Sequence, residues 1–215
     1  MRRMFLDIET LPPIDKCGHV ACADLPCCTD EDFRKLALRG ELGRVLCIGL
    51  IVEQDGVIIH KGILGRDRAT LRFHLDEART LRAFWRLFDG FDPRRDQVIG
   101  HNIYDFDLLF LYKRSVVHRV RPFVSLSFAR YRSQPIYDTM REWEKWGRSM
   151  VSLDNLARAL GLESSKTDGI TGATVYDRYC AGDHDVIADY CMRDVELTRA
   201  IYYRLSFEDC IAMAS

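Results

Sequence analysis

The sequence predicts a layered α/β or α+β domain, on three observations. Short apolar or alternating stretches suited to strands come early, at 4–9, 44–53, 57–64, 97–100 and 136–139. Helical periodicity is interleaved with them and then takes over, at 31–38, 75–88, 105–117, 140–146, 153–160 and 184–205. Across 215 residues, 47% hydrophobic and 29% charged, there is enough apolar material for one sizeable core. No repeat, low-complexity stretch or linker asks for a second unit, so 1–215 is expected to form a single domain.

Each element has its own signal. Residues 4–9 read as a buried strand opening the fold. The long stretch 10–43 carries Pro and Cys and is weakly patterned apart from a helix near 31–38. It directly follows the first pair of acids, so it is either a lid beside the site or a peripheral insertion. The strands 44–53 and 57–64 are joined at Asp55-Gly56, a hairpin signal. Helix 75–88 places Leu81, Phe84, Trp85 and Phe88 on one face. Asn102 stands where it can cap helix 105–117, and Ser152 where it can cap 153–160.

Composition excludes several classes. A formal net charge of -1 rules out a generally basic nucleic-acid binder, so any grip on phosphate must come from a local basic surface or from metal ions. The longest clear apolar run, 45–52, is far too short for a bilayer helix, so no membrane partner is expected. Arg2 and Arg3 are not followed by an apolar export core, and a cytoplasmic location is the expectation. Eight cysteines occur without a CxxC pair, and reduced thiols are the default. A zinc site from Cys17, Cys22, Cys27 or Cys28 with His19 competes with loop cysteines that have no function, the favoured reading.

The chemistry lies in carboxylates. In Phe5-Leu6-Asp7-Ile8-Glu9-Thr10, strand alternation turns Asp7 and Glu9 to the same side. Two acids side by side on an apolar strand repel each other, and burial disfavours both charges; a divalent cation removes that cost. The alternative is a solvated strand end. In His101-Asn102-Ile103-Tyr104-Asp105-Phe106-Asp107, Asp105 has a sufficient role near the helix start, whereas Asp107 sits among apolar residues and needs a partner. In the last helix, Ile187, Cys191, Asp194, Thr198, Ile201 and Leu205 form the inward stripe. Asp194 stands in that stripe where an apolar residue is expected, and Tyr190 lies four residues before it on the same face. Asp189 and Arg193 point elsewhere. Four inward acids can hold two divalent ions for phosphodiester hydrolysis.

With those residues in hand, the sequence resembles the DEDDy 3′→5′ exonucleases. Asp7-Ile8-Glu9 matches that family's Asp-x-Glu motif. Asn102 with Phe106-Asp107 matches the second motif, and Tyr190 with Asp194 the Tyr-x-x-x-Asp of the third. The segments Ile136-Tyr137-Asp138-Thr139-Met140, Ser152-Leu153-Asp154-Asn155-Leu156-Ala157 and Asp194-Val195-Glu196-Leu197-Thr198 look similar to the stand-alone branch related to the exonuclease domain of family B DNA polymerases. No polymerase region accompanies them, so a stand-alone nuclease is expected. The resemblance implies an RNase H-like α/β fold with a mixed five-stranded sheet flanked by helices. It implies two divalent cations, Mg²⁺ or Mn²⁺, held by Asp7, Glu9, Asp107 and Asp194, with Tyr190 orienting the attacking water. The implied activity is release of nucleoside 5′-monophosphates from a single-stranded DNA or RNA 3′ end, with DNA favoured. Thr10, Asn102 and Phe106 are expected to contact substrate.

A sister branch carries histidine five residues before its last aspartate, and His184 and Asp189 have that spacing. Asp189 lies off the inward stripe and lacks the Val-x-x-Thr continuation of Asp194, so the tyrosine reading is preferred. The stretch 108–137 holds no acid but carries Lys113, Arg114, Arg119, Arg121, Arg130 and Arg132 among aromatics. That pattern suits a single-strand path, with Arg130 and Arg132 on it, against a merely solvated connection. Three rivals stay open: an exoribonuclease, a non-catalytic nucleic-acid-binding protein on the same fold, and a haloacid-dehalogenase-like phosphatase. The last leaves Asn102, Asp107, Tyr190 and Asp194 unexplained.

Overall fold

The computed structural model describes residues 1–13, 30–166 and 169–208. The cysteine cluster at 17–28, with His19, lies outside the described residues. Five strands form one mixed sheet: β1 (Arg2–Leu11), β2 (Arg44–Gln54), β3 (Val57–Leu64), β4 (Gln97–Gly100) and β5 (Ile136–Asp138). Their order is β3-β2-β1-β4-β5. The first three are antiparallel neighbours, whereas β4 runs parallel to both β1 and β5. The longest strand but one, β1, is therefore central, hydrogen-bonded on both edges. Its neighbour β2 is buried along almost its whole length, and β3, an edge strand, alternates exposed and covered positions as a half-solvated strand does.

Among the described residues, seven α-helices surround the sheet: α1 (Asp30–Lys35), α2 (Glu77–Arg86), α3 (Asp107–Val117), α4 (Thr139–Trp143), α5 (Leu153–Ala159), α6 (Val175–Ala181) and α7 (His184–Ser206). On one face, Met4, Leu6 and Ile8 of β1 pack with Leu81, Phe84 and Trp85 of α2 and Leu108 and Leu111 of α3. Each such fully buried side chain contributes about 1.5–3 kcal/mol. On the other face, Phe5, Ile51 and Ile99 meet Val195, Tyr202 and Tyr203 of α7. The helix α7 presses directly on β2 at Gly49, where an added Cβ would stand 2.9 Å from both Cys191 Sγ and Val195 Cγ2.

Long-range polar contacts fix the layers. The buried Glu77 carboxylate accepts from Arg114 Nε and Nη2, both at 2.8 Å, and from the Val45 N–H at 2.8 Å, joining α2, α3 and β2. The pairing matters because an unpaired buried charge is strongly destabilising. At the end of β5, Asp138 accepts from the N–H groups of Asn102, Tyr104, Met140 and Arg141. It thereby caps α4 and pins the turn that delivers α3.

Several expectations shift. The first strand runs two residues further at each end than 4–9. The third helix begins at Asp107, and the side chain of Asn102 does not cap it: Asn102 gives its N–H to Asp138, and only its backbone carbonyl receives the N–H groups of Asp105 and Phe106. The last strand stops at Asp138 because that residue's cap starts a helix at once. The cap at Ser152 is present, accepting from Asn155 N at 3.2 Å. The short α6 has no counterpart among the sequence expectations, because Val175, Tyr176 and Tyr179 give too few apolar positions for a period.

Candidate active site

The site starts from the alternation on β1. Met4, Leu6 and Ile8 go to the α2–α3 face, so Asp7 and Glu9 turn toward α7. Glu9 is 6% exposed, and Asp7 is half-buried. The register with β2 shifts between Glu9 and Thr10, a bulge just past the two acids. Bulges re-aim side chains next to sites of this kind.

Asp107, the first residue of α3, reaches β1 from the side. Its Oδ1 accepts from the Ile8 N–H at 3.2 Å, between the two β1 acids, and it is 3% exposed. Asp105, two residues earlier, takes no part; Arg130 and Arg141 both pair with it.

From α7, Tyr190 and Asp194 face the sheet together, and both are buried. The phenol of Tyr190 and the carboxylate of Asp194, one turn apart on α7, are close enough to perturb each other's ionisation. Cys191 lies between them in sequence and points at β1. Its Sγ stands 3.6 Å from Asp7 Oδ2 and 3.6 Å from the Asp7 carbonyl oxygen. Asp189 is exposed, and His184 Nδ1 accepts the Phe73 N–H at 3.3 Å, so that pair stands apart.

The electrostatics follow from this crowding. Burial raises Asp7 well above the usual carboxylate range, and repulsion from Asp194, Asp107 and Glu9 adds to it. Glu9 is raised well above its usual range by burial and then by Cys47, Asp194 and Asp107. Burial pushes Asp107 to about 7 against the opposing pull of backbone hydrogen bonds. Asp194 is raised by burial too. Burial and the neighbouring Asp194 hold the Tyr190 phenol far above its ordinary value, so it keeps its proton. No described residue donates a hydrogen bond to the Glu9 carboxylate. One oxygen each of Asp7 and Glu9, with Cys191 Sγ, lies within 4.8 Å of the others. Carboxylates gathered this way could hold a divalent cation, and their oxygen donors suit Mg²⁺ or Mn²⁺.

A cleft of about 540 Å³ opens on these groups. Asp7, Glu9, Thr10, Phe106, Tyr190 and Asp194 line it, together with Glu31, Arg34 and Lys35 of α1 and Tyr176 of α6. The two helices meet there: Arg34 forms a two-point ion pair with Asp177 at 2.8 and 2.7 Å and lies over the Tyr176 ring. Asn102 has a left-handed backbone (φ 63°), and its Oδ1 is buried without a hydrogen-bond partner among the described residues. Arg130 and Arg132 are exposed, do not line the cleft, and contact Asp105 and Ser127 respectively.

Comparison with known proteins places the chain. A family described as "predicted 3′-5′ exonuclease related to the exonuclease domain of PolB" matches residues 37–210. The chain belongs to this family. The activity described for this PolB-related family is exonuclease, and the matched residues include Asp107, Tyr190 and Asp194. The strand of Asp7 and Glu9 lies before the matched residues. A structural match does include most of the chain: the family B DNA polymerase from the hyperthermophilic archaeon Pyrobaculum calidifontis superposes with a TM-score of 0.65 and 18% identity over 96% of this chain. The chain spans 24% of that polymerase's length. At that identity the likeness shows the fold, which is RNase H-like. No curated protein matches the sequence. Among the described residues, no helix is long and apolar enough to cross a membrane.

Proposed function

We propose that the whole chain works as one 3′→5′ exonuclease domain. It hydrolyses phosphodiester bonds from the 3′ end of a single strand, DNA in preference to RNA, and releases nucleoside 5′-monophosphates with the help of two Mg²⁺ or Mn²⁺ ions. The observation that carries this reading is that Asp7, Glu9 and Asp194, from one strand and the last helix, line one cleft, with Asp107 hydrogen-bonded to the Ile8 N–H between the first two. The DNA preference rests on kinship with the PolB exonuclease domain.

Asp7, Glu9, Asp107 and Asp194 are the residues that hold the ions. Bound there, the ions supply Lewis acidity and a water of lowered pKa. Every further step belongs to the chain's own groups. Tyr190, proton retained, orients the attacking water through its hydroxyl. Asp194, one turn further along the same face of α7, flanks that hydroxyl. Phe106 offers a ring in the cleft for the terminal base, and Thr10 a hydroxyl beside Glu9. The unpartnered Asn102 Oδ1 accepts from a substrate donor. Arg130 and Arg132 steer the strand from outside the cleft. Positioning and charge neutralisation, not covalent chemistry, account for the rate.

Product analysis tests the reading. Equal-sequence single-stranded DNA and RNA are digested to limit, and released nucleotides are identified by mass. Nucleoside 5′-monophosphates from DNA at the higher rate are expected. A faster RNA digest would reassign the substrate to RNA, and metal-dependent binding without product would mark a non-catalytic binder.

A further inference from the structure

The thiol of Cys191 has no role in that chemistry, yet it lies against the carboxylate of Asp7. It is fully buried, as is Cys47, and its Sγ lies 3.6 Å from Asp7 Oδ2. Hard cations such as Mg²⁺ gain little from a thiol ligand. Zinc-type ions behave differently: with Zn–S near ~2.3 Å and Zn–O near ~2.0 Å, a tetrahedral site sets its sulfur and oxygen ligands about 3.5 Å apart. The Cys191–Asp7 separation already has that length. Glu9 supplies a second oxygen within 4.8 Å of both and has no hydrogen bond from a described residue to give up. Close packing of α7 on β2 keeps the sulfur near the sheet: a Cβ added at Gly49 would stand 2.9 Å from Cys191 Sγ.

We propose that Asp7, Glu9 and Cys191 form a thiophilic metal site that overlaps the site of the catalytic cations, so that Zn²⁺ or Cd²⁺ occupies it and excludes Mg²⁺. The inference rests on the ion-binding role proposed above for Asp7 and Glu9. Binding replaces the thiol proton by the metal and releases that proton to solvent, with no change of oxidation state. Selectivity comes from ligand softness: the two carboxylates serve either ion, whereas the sulfur favours only the soft one.

The probe is Cd²⁺ added to the metal-free full chain, read by the thiolate-to-cadmium absorption in the ultraviolet. Other cysteines contribute to this band, so the informative quantity is the part removed by Cys191→Ser. Expected is a Cys191-dependent band that declines as Mn²⁺ is raised, and a Cd²⁺ affinity at least about tenfold weaker in Cys191→Ser. Asp7→Asn, with the cysteine intact, should also weaken the band, which keeps the test valid if Cys191→Ser folds poorly. A band indifferent to Cys191→Ser, or one that Mn²⁺ leaves unchanged, would overturn the shared thiophilic site. Mn²⁺ binding measured by electron paramagnetic resonance separates the two ideas. If Asp7→Asn leaves Mn²⁺ binding intact, the underlying ion-binding role fails; if it abolishes Mn²⁺ binding while the Cys191 band is absent, only the zinc site fails.

Discussion

Asp107 Oδ1 accepts a hydrogen bond from the backbone N–H of Ile8 at 3.2 Å, so the first turn of α3 is tied to β1 between its two acids. The carboxylate that completes the acid cluster is thus also the one that sets the distance between helix and strand. Asp107→Asn keeps the shape and an acceptor oxygen but removes the charge. We expect exonuclease turnover to fall at least about hundredfold while the metal-free protein melts at the same or a higher temperature, since repulsion in the cluster is relieved. Thermal melts beside a rate assay check both halves.

The crowded acids make stability depend on pH. An unfolded aspartate ionises near ~3.9, whereas Asp107 in the fold ionises at about 7. Between those values the folded chain binds more protons than the unfolded one, so stability falls as pH rises through this window. Asp7, Glu9 and Asp194 shift in the same direction and add to it. A bound divalent cation takes over the role of those protons. The melting temperature of metal-free protein should therefore drop between about pH 5 and about pH 8, and the rise on adding Mn²⁺ should be larger at the higher pH. Equal metal effects at both would place the cation away from these acids.

Removing only the phenol oxygen isolates the role of Tyr190. Tyr190→Phe retains the buried ring and removes only the hydroxyl beside Asp194. Expected is a turnover lower by about tenfold to hundredfold, with KM and melting temperature little changed, as for a positioning group. An unaltered turnover would leave Tyr190 a packing residue.

Much of this site is legible in residue order. Period-two alternation turns Asp7 and Glu9 to one side of β1, and the stripe on α7 separates Asp194 and Tyr190 from exposed Asp189. Those patterns are local, and burial enforces them. The rest depends on distant partners. Asn102 has the sequence position of a cap, but Asp138, 36 residues away, takes its N–H and changes its conformation. Arg130 reads as available for phosphate, but Asp105 pairs with it. The stripe makes Cys191 an ordinary apolar position, because only the approach of α7 to Gly49 brings its sulfur to Asp7. The cleft wall is illegible in sequence because the Arg34–Asp177 pair joins segments 143 residues apart.

The pairing of Arg130 with Asp105 makes the outer basic strip a sharper question. If Arg130 and Arg132 bind phosphates, replacing both with Ala should weaken single-strand binding and reduce the salt slope of log K by about 0.7 for each phosphate left unneutralised. Fluorescence anisotropy over a salt series measures this. An unchanged slope would restrict the substrate path to the cleft.

The most direct test uses a 5′-labelled single strand incubated with Mg²⁺, Mn²⁺ or a chelator, comparing the native chain with Asp7→Ala. A ladder shortening from the 3′ end is expected with either metal and is expected to vanish with the chelator and in Asp7→Ala. An intact strand under every metal, or a ladder that survives both the chelator and the substitution, would contradict a cation-dependent exonuclease built on Asp7.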